Sequence, residues 1–101
     1  MARPDPALLD TARYPFSCAI EPRFSDLDLN HHINNVAMAG MLEDGRVRFY
    51  RAASGQEDFA GLATMVASIA IEYLGETHYP ETLTIHGAIE KLGQSSQQVV
   101  Q

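Results

Sequence analysis

The sequence predicts an α+β fold in which an antiparallel sheet wraps one long helix. Three observations predict it. Phe16, Cys18 and Ile20 alternate with Ser17, Ala19 and Glu21, the period of a strand with one buried face. Met38, Met41, Leu42, Gly45, Phe49 and Ala52 then recur at helical spacing. Alternation returns afterwards in residues 65–73, 82–87 and 96–100. An early helix followed by consecutive strands on short turns favours a mainly antiparallel sheet packed around the helix.

Each element has local causes. Residues 1–14 read as an N-terminal arm, because Pro4 and Pro6 discourage regular structure there. Pro22 ends the first strand. Asn34 or Asn35 is a suitable N-cap for the helix, and Ser54-Gly55 ends it. Residues 36–42 carry no charge on any side, so this half of the helix is expected to be buried all round. Gly40 and Gly45 each cost up to ~1 kcal/mol relative to alanine in a helix, so close approach to a neighbour is expected at both. The turn at Gly93-Gln94 leads into a last strand that stops at Gln101. The expected architecture therefore lacks one final strand, with a C-terminally incomplete domain over residues 15–101.

The bulk properties narrow the function. With 101 residues, the chain suits one domain, which buries only about two thirds of the surface its unfolded chain exposes. Pairing with another copy would add to that burial. The composition, 46% hydrophobic and 20% charged, is that of a globular protein. A net charge of −6 gives no overall attraction to nucleic acid or an anionic membrane. No stretch approaches the ~20 apolar residues of a membrane span, and the N-terminus lacks the apolar core of a signal peptide. A cytoplasmic location is expected by default. The lone Cys18 has no internal disulfide partner and reads as a buried thiol.

Chemistry concentrates in the run Arg23-Phe24-Ser25-Asp26-Leu27-Asp28-Leu29-Asn30-His31-His32-Ile33-Asn34-Asn35. Carboxylates, imidazoles and side-chain amides precede a helix N-terminus, which offers unpaired backbone N–H groups and a partial positive charge. An acyl carbonyl placed there would be polarised and its oxyanion held. A nearby aspartate could attack or activate water. Capping and turn formation account for one or two of these residues, Asn34 and Asp26. No metal site is expected. Asp26, Asp28 and Asn30 mimic the start of an EF-hand, but His31 and Ala37 stand where that loop needs glycine and glutamate. His31 and His32 are adjacent and do not converge on one ion.

The run closely resembles the active-site loop of hotdog-fold thioesterases. It is most similar to plant and bacterial acyl-ACP thioesterases and to the 4-hydroxybenzoyl-CoA thioesterase-like group. The shared pattern is an Asp-x-Asp pair, then His-x-Asn-Asn leading into the helix. Glu43-Asp44-Gly45-Arg46, Ile71-Glu72-Tyr73-Leu74-Gly75-Glu76 and the turn with Ser95-Ser96 extend the likeness, which runs from about residue 16 to 101. Met38 stands where the family usually has tyrosine, and His31 where glycine or glutamine is common.

The resemblance implies a hotdog fold and hydrolysis of acyl thioesters in fatty acid metabolism, with no cofactor. It implies catalytic roles for Asp28, Asn30 and His32, with Asp28 as base or nucleophile. It further implies substrate-binding roles for Asn34, Asn35, Glu43 and Glu76. The expected substrate is acyl-CoA rather than acyl-ACP, since an acidic carrier protein would be repelled by a chain of this charge. Arg46, Arg48 and Arg51 could serve the CoA phosphates, or form a solvated helix face. Hotdog domains generally pair, so a homodimer or a dimer of dimers is expected. Two other functions remain open: a hotdog enoyl or 3-hydroxyacyl-thioester hydratase or dehydratase, and a non-catalytic acyl-thioester binding domain. The hydratase motif has a proline after the asparagine and a longer gap to the histidine, unlike Asn30-His31-His32.

Overall fold

The computed structural model describes residues 5–55 and 65–101. One long helix, α1 (Asn35–Ser54), packs on a three-stranded antiparallel sheet. The strands are β1 (Phe16–Ile20), β2 (Leu83–Leu92) and β3 (Gln97–Val100), in the order β1-β2-β3. This is the expected α+β layout. Residues 1–4 of the expected arm lie outside the described residues. Its remainder forms short 3-10 turns, Pro6–Leu9 and Thr11–Arg13, capped by the side chains of Asp5 and Asp10. Proline at the start of the first turn is compatible with it, because the N–H it lacks would be unpaired there.

The register of the sheet follows from the apolar alternation. Phe16 pairs with Gly87, Cys18 with Ile85 and Ile20 with Leu83, so one face of both strands is apolar and faces α1. Gly87 leaves room for aromatic rings: Phe16 and Phe49 pack with centroids 5.3 Å apart above it. Glu90 forms a bulge between Ile89 and Lys91, where the β2–β3 register shifts. The helix turns Met41, Gly45 and Phe49 inward, residues that share one face at intervals of four. Ile20, Ile33, Met41 and Ile85 are the buried core, with Cys18, Leu27, Ala37, Met38, Leu42 and Leu83 against it.

Helix boundaries follow the sequence signals. Asn34 is the N-cap, its Oδ1 accepting the Val36 N–H at 2.7 Å. Gly55 closes the C-terminus with a left-handed φ of 70° and an N–H donated to the Arg51 carbonyl, the conformation glycine adopts at least cost. At the other end of the chain Gln101 lies on the helix. Its amide donates to the Leu42 carbonyl at 2.8 Å and accepts from Arg46 at 3.1 Å.

Three expectations are overturned. Residues 65–73 form no strand, and their side chains are largely exposed, Met65 at 92%. Alternation gives two faces, but a strand also needs a hydrogen-bonded neighbour, and none is formed among the described residues. The first half of α1 is not buried all round: Asn35, Val36 and Gly40 are exposed. The sheet covers one side of the helix, and among the described residues no second layer covers the other. Close approach occurs at only one of the two glycines. A methyl group on Gly45 would fall 2.6 Å from Ile85 Cγ2, whereas one on Gly40 would meet nothing within 4 Å.

Candidate active site

The polar loop between β1 and α1 is organised around two aspartates. Asp26 is buried and fixes the loop entrance. Its carboxylate accepts the Arg23 backbone N–H at 2.7 Å and the Arg23 guanidinium at 3.0 Å. These two hydrogen bonds hold the Asp26 carboxyl below the usual carboxylate range. The Asp26 carbonyl accepts the N–H of Asn34 at 2.8 Å, which sets the helix cap relative to the loop start. Asp26 and Asn34 are thus the structural residues of the run.

Asp28 organises the tip. Its Oδ1 accepts the backbone N–H of Asn30 at 2.8 Å and of His32 at 3.2 Å. Its own N–H donates to the His32 carbonyl at 2.9 Å, and its carbonyl accepts the His31 N–H at 3.1 Å. This tight curl forces His31 into the left-handed region, φ 62°, which glycine occupies without steric cost. Asn30 is exposed at the tip and His32 is half-buried beneath it.

The loop is tied to the segment that precedes β2. Ile33 N–H donates to the Thr77 carbonyl at 2.8 Å. His32 and His78 form an isolated antiparallel bridge. The Tyr73 hydroxyl donates to the Asn35 carbonyl at 2.9 Å, at the first turn of α1. These ties deliver Glu76 to His32: Glu76 Oε2 lies 3.2 Å from His32 Nε2. The same oxygen lies 3.6 Å from His78 Nε2.

At the start of α1, the Asn34 N–H goes to Asp26 and the Val36 N–H to the cap. Among the described residues, the N–H groups of Asn35 and Ala37 have no acceptor. Open donors at a helix start can receive an anionic oxygen.

The structure thus brings together Asp28, His32, Glu76 and the Asn34-Asn35 helix start. It does not bring in Glu43, whose side chain is exposed on α1 without a hydrogen bond or ion pair among the described residues. The arginines of α1 are also engaged elsewhere: Arg48 with Asp44 at 3.0 Å and the Ala19 carbonyl at 3.2 Å, and Arg46 with Gln101. Cys18 is half-buried in β1, where burial pushes its thiol pKa up and away from a reactive thiolate. His78 was not singled out from the sequence. The available signal is its spacing: two residues after Glu76 in extended backbone, it shares that residue's face.

Comparison with known proteins bears on the family and the fold. A family model described as "Thioesterase-like superfamily" matches residues 22–101. A solved structure described as "a putative acyl-CoA thioesterase from Xanthomonas campestris" aligns with a TM-score of 0.74 at 26% identity. The alignment covers 86% of this chain and 74% of that one. No curated protein matches the chain by sequence. The helix-on-sheet layout, with this likeness, is that of the hotdog fold. No helix among the described residues is long and apolar enough to cross a membrane. With four fifths of its length under the family model, loop and helix start included, the chain belongs to the thioesterase-like superfamily.

Proposed function

We propose that the protein hydrolyses acyl-CoA thioesters to the free acid and CoA thiol, using Asp28, His32 and Glu76 beside the N-terminus of α1. The observation that carries this reading is that one residue, His32, meets the Asp28 carboxylate through its backbone and Glu76 through its ring, beside the helix start. The backbone N–H of His32 donates to the Asp28 carboxylate at 3.2 Å, and the His32 imidazole Nε2 lies 3.2 Å from Glu76 Oε2. The thioester carbonyl lies toward the open N–H groups of Asn35 and Ala37, where an oxyanion is stabilised as it forms. Asp28 takes the proton of an attacking water, or adds to the carbonyl carbon itself. The carbon–sulfur bond then breaks and the departing thiolate takes up a proton; in the nucleophilic route water then hydrolyses the mixed anhydride on Asp28, which releases the acid and frees the carboxylate. Glu76 orients the His32 imidazole. Asn30, whose side chain is exposed at the loop tip, supports the nucleophile or water in this reading.

The choice of CoA is supported by the description of the Xanthomonas structure as an acyl-CoA thioesterase and by the net charge of −6. The engagement of Arg46 and Arg48 within the chain favours their reading as a helix face over a phosphate site. We further infer a homodimer, supported by the exposure of Val36, Met65, Val66, Ile69 and Leu74, more apolar surface than single scattered side chains. A monomer by light scattering at micromolar concentration would count against it.

Asp28→Asn is the decisive variant. The asparagine keeps an oxygen able to accept the Asn30 and His32 N–H groups, so the loop retains its curl. It removes the negative charge needed for base or nucleophile. Thiol release from a panel of acyl-CoA esters is expected to vanish while thermal unfolding stays close to wild type. Full activity in Asp28→Asn would overturn the assignment of the residue. Loss of crotonyl-CoA absorbance without thiol release would instead identify a hydratase.

A further inference from the structure

We propose that His32, Glu76 and His78 form a binding site for a divalent transition-metal ion, zinc above all, and that the bound ion inhibits thioester hydrolysis. The binding claim stands on geometry alone. The inhibition rests on the thioesterase reading of His32 and Glu76.

One ligand atom from each of the three residues lies within 4.8 Å of the others. Glu76 Oε2 is 3.2 Å from His32 Nε2 and 3.6 Å from His78 Nε2. Zinc bonds of about 2.0–2.2 Å in a tetrahedron place neighbouring ligand atoms roughly 3.3–3.5 Å apart. Both separations fall close to that chord, and the third pair, His32 and His78, has ligand atoms within 4.8 Å of each other. The donors, two imidazoles and a carboxylate, suit zinc and its neighbours in the transition series.

The backbone holds this arrangement. His32 and His78 face each other across an antiparallel bridge, and the adjoining Ile33–Thr77 hydrogen bond of 2.8 Å fixes the register. The two rings sit edge to face with centroids 5.3 Å apart. No arginine or lysine among the described residues pairs with Glu76, whose carboxylate instead lies against the two imidazoles. Glu76 and His78 are more than half exposed, so the fourth position is open to solvent. Water or the thiol product can complete the coordination there. An ion so held takes the His32 and Glu76 side chains away from hydrolysis.

The test uses tag-free, chelator-treated protein titrated with zinc chloride by calorimetry, and with cobalt chloride by visible absorption. One equivalent of zinc per chain is expected. His78→Ala and Glu76→Gln should each weaken binding at least about tenfold, while His31→Ala leaves it unchanged; circular dichroism checks that each variant is folded. Zinc should inhibit acyl-CoA hydrolysis by the wild type, reversed by chelator, whereas His78→Ala hydrolyses normally and resists zinc. Absence of zinc binding, or binding indifferent to both His78→Ala and Glu76→Gln, overturns the site. Hydrolysis unaffected by saturating zinc overturns the inhibition. Zinc binding at these residues in a protein that cleaves no thioester leaves the metal site standing and removes the thioesterase reading instead.

Discussion

His32 Nε2 stands 3.2 Å from Glu76 Oε2, a contact that joins the loop before α1 to the segment before β2. His32→Ala removes the imidazole from beside Asp28 and the helix start and should lower kcat on acyl-CoA by about 10²–10⁴, the range for a positioned acid–base group. Glu76→Gln keeps the shape but not the charge, and should lower kcat by a smaller factor with KM nearly unchanged. Steady-state thiol release measures both. Wild-type kcat in His32→Ala would remove the imidazole from the mechanism.

The two glycines of α1 should respond with opposite signs to the same substitution. Gly40→Ala meets open space and should stabilise by up to ~1 kcal/mol through helix propensity. Gly45→Ala puts a methyl group 2.6 Å from Ile85 Cγ2. Overpacking of that kind costs about 1–3 kcal/mol, enough to exceed the propensity gain. Urea unfolding midpoints of the two variants decide it.

His31→Gly should stabilise the protein. The left-handed φ of 62° is strained for a side chain with a Cβ, by about 1–2 kcal/mol. Part of that gain is lost to the greater freedom of glycine in the unfolded chain, so a net rise of a few tenths to ~1 kcal/mol is expected. A fall in the unfolding temperature would show that the imidazole makes a compensating interaction.

Stability should depend on pH through Asp26. Its pKa is lowered in the folded state by hydrogen bonds from Arg23. The unfolded chain therefore binds the proton more tightly, and the stabilisation is fully present above the unfolded pKa of about 4. It is lost as pH falls from there through the lower folded value. Asp26→Asn should be less stable than wild type at pH 7, and the gap should close as pH drops below about 4. Salt should reduce the effect only partly: Arg23 is exposed at 78%, but the Asp26 side chain is 5% exposed.

The local parts of this protein are legible in its sequence. Asn34 as cap, Gly55 as terminator, the strand at residues 16–20 and the polar loop that leads into the helix all depend on near neighbours, which propensity, capping and alternation encode directly. The loop motif also carried the family, because its spacing is contiguous. Other features depend on which segments meet. Alternation in residues 65–73 resembles that in β2, yet among the described residues only β2 of the two acquires ladder partners. Gly40 and Gly45 are equivalent by sequence, and the approach of Ile85 separates them. Most of all, the tertiary structure decided what His32 faces. The chain places it next to His31, but the fold turns it to Glu76 and His78, since a backbone bridge between distant segments fixes side-chain company that sequence order does not record.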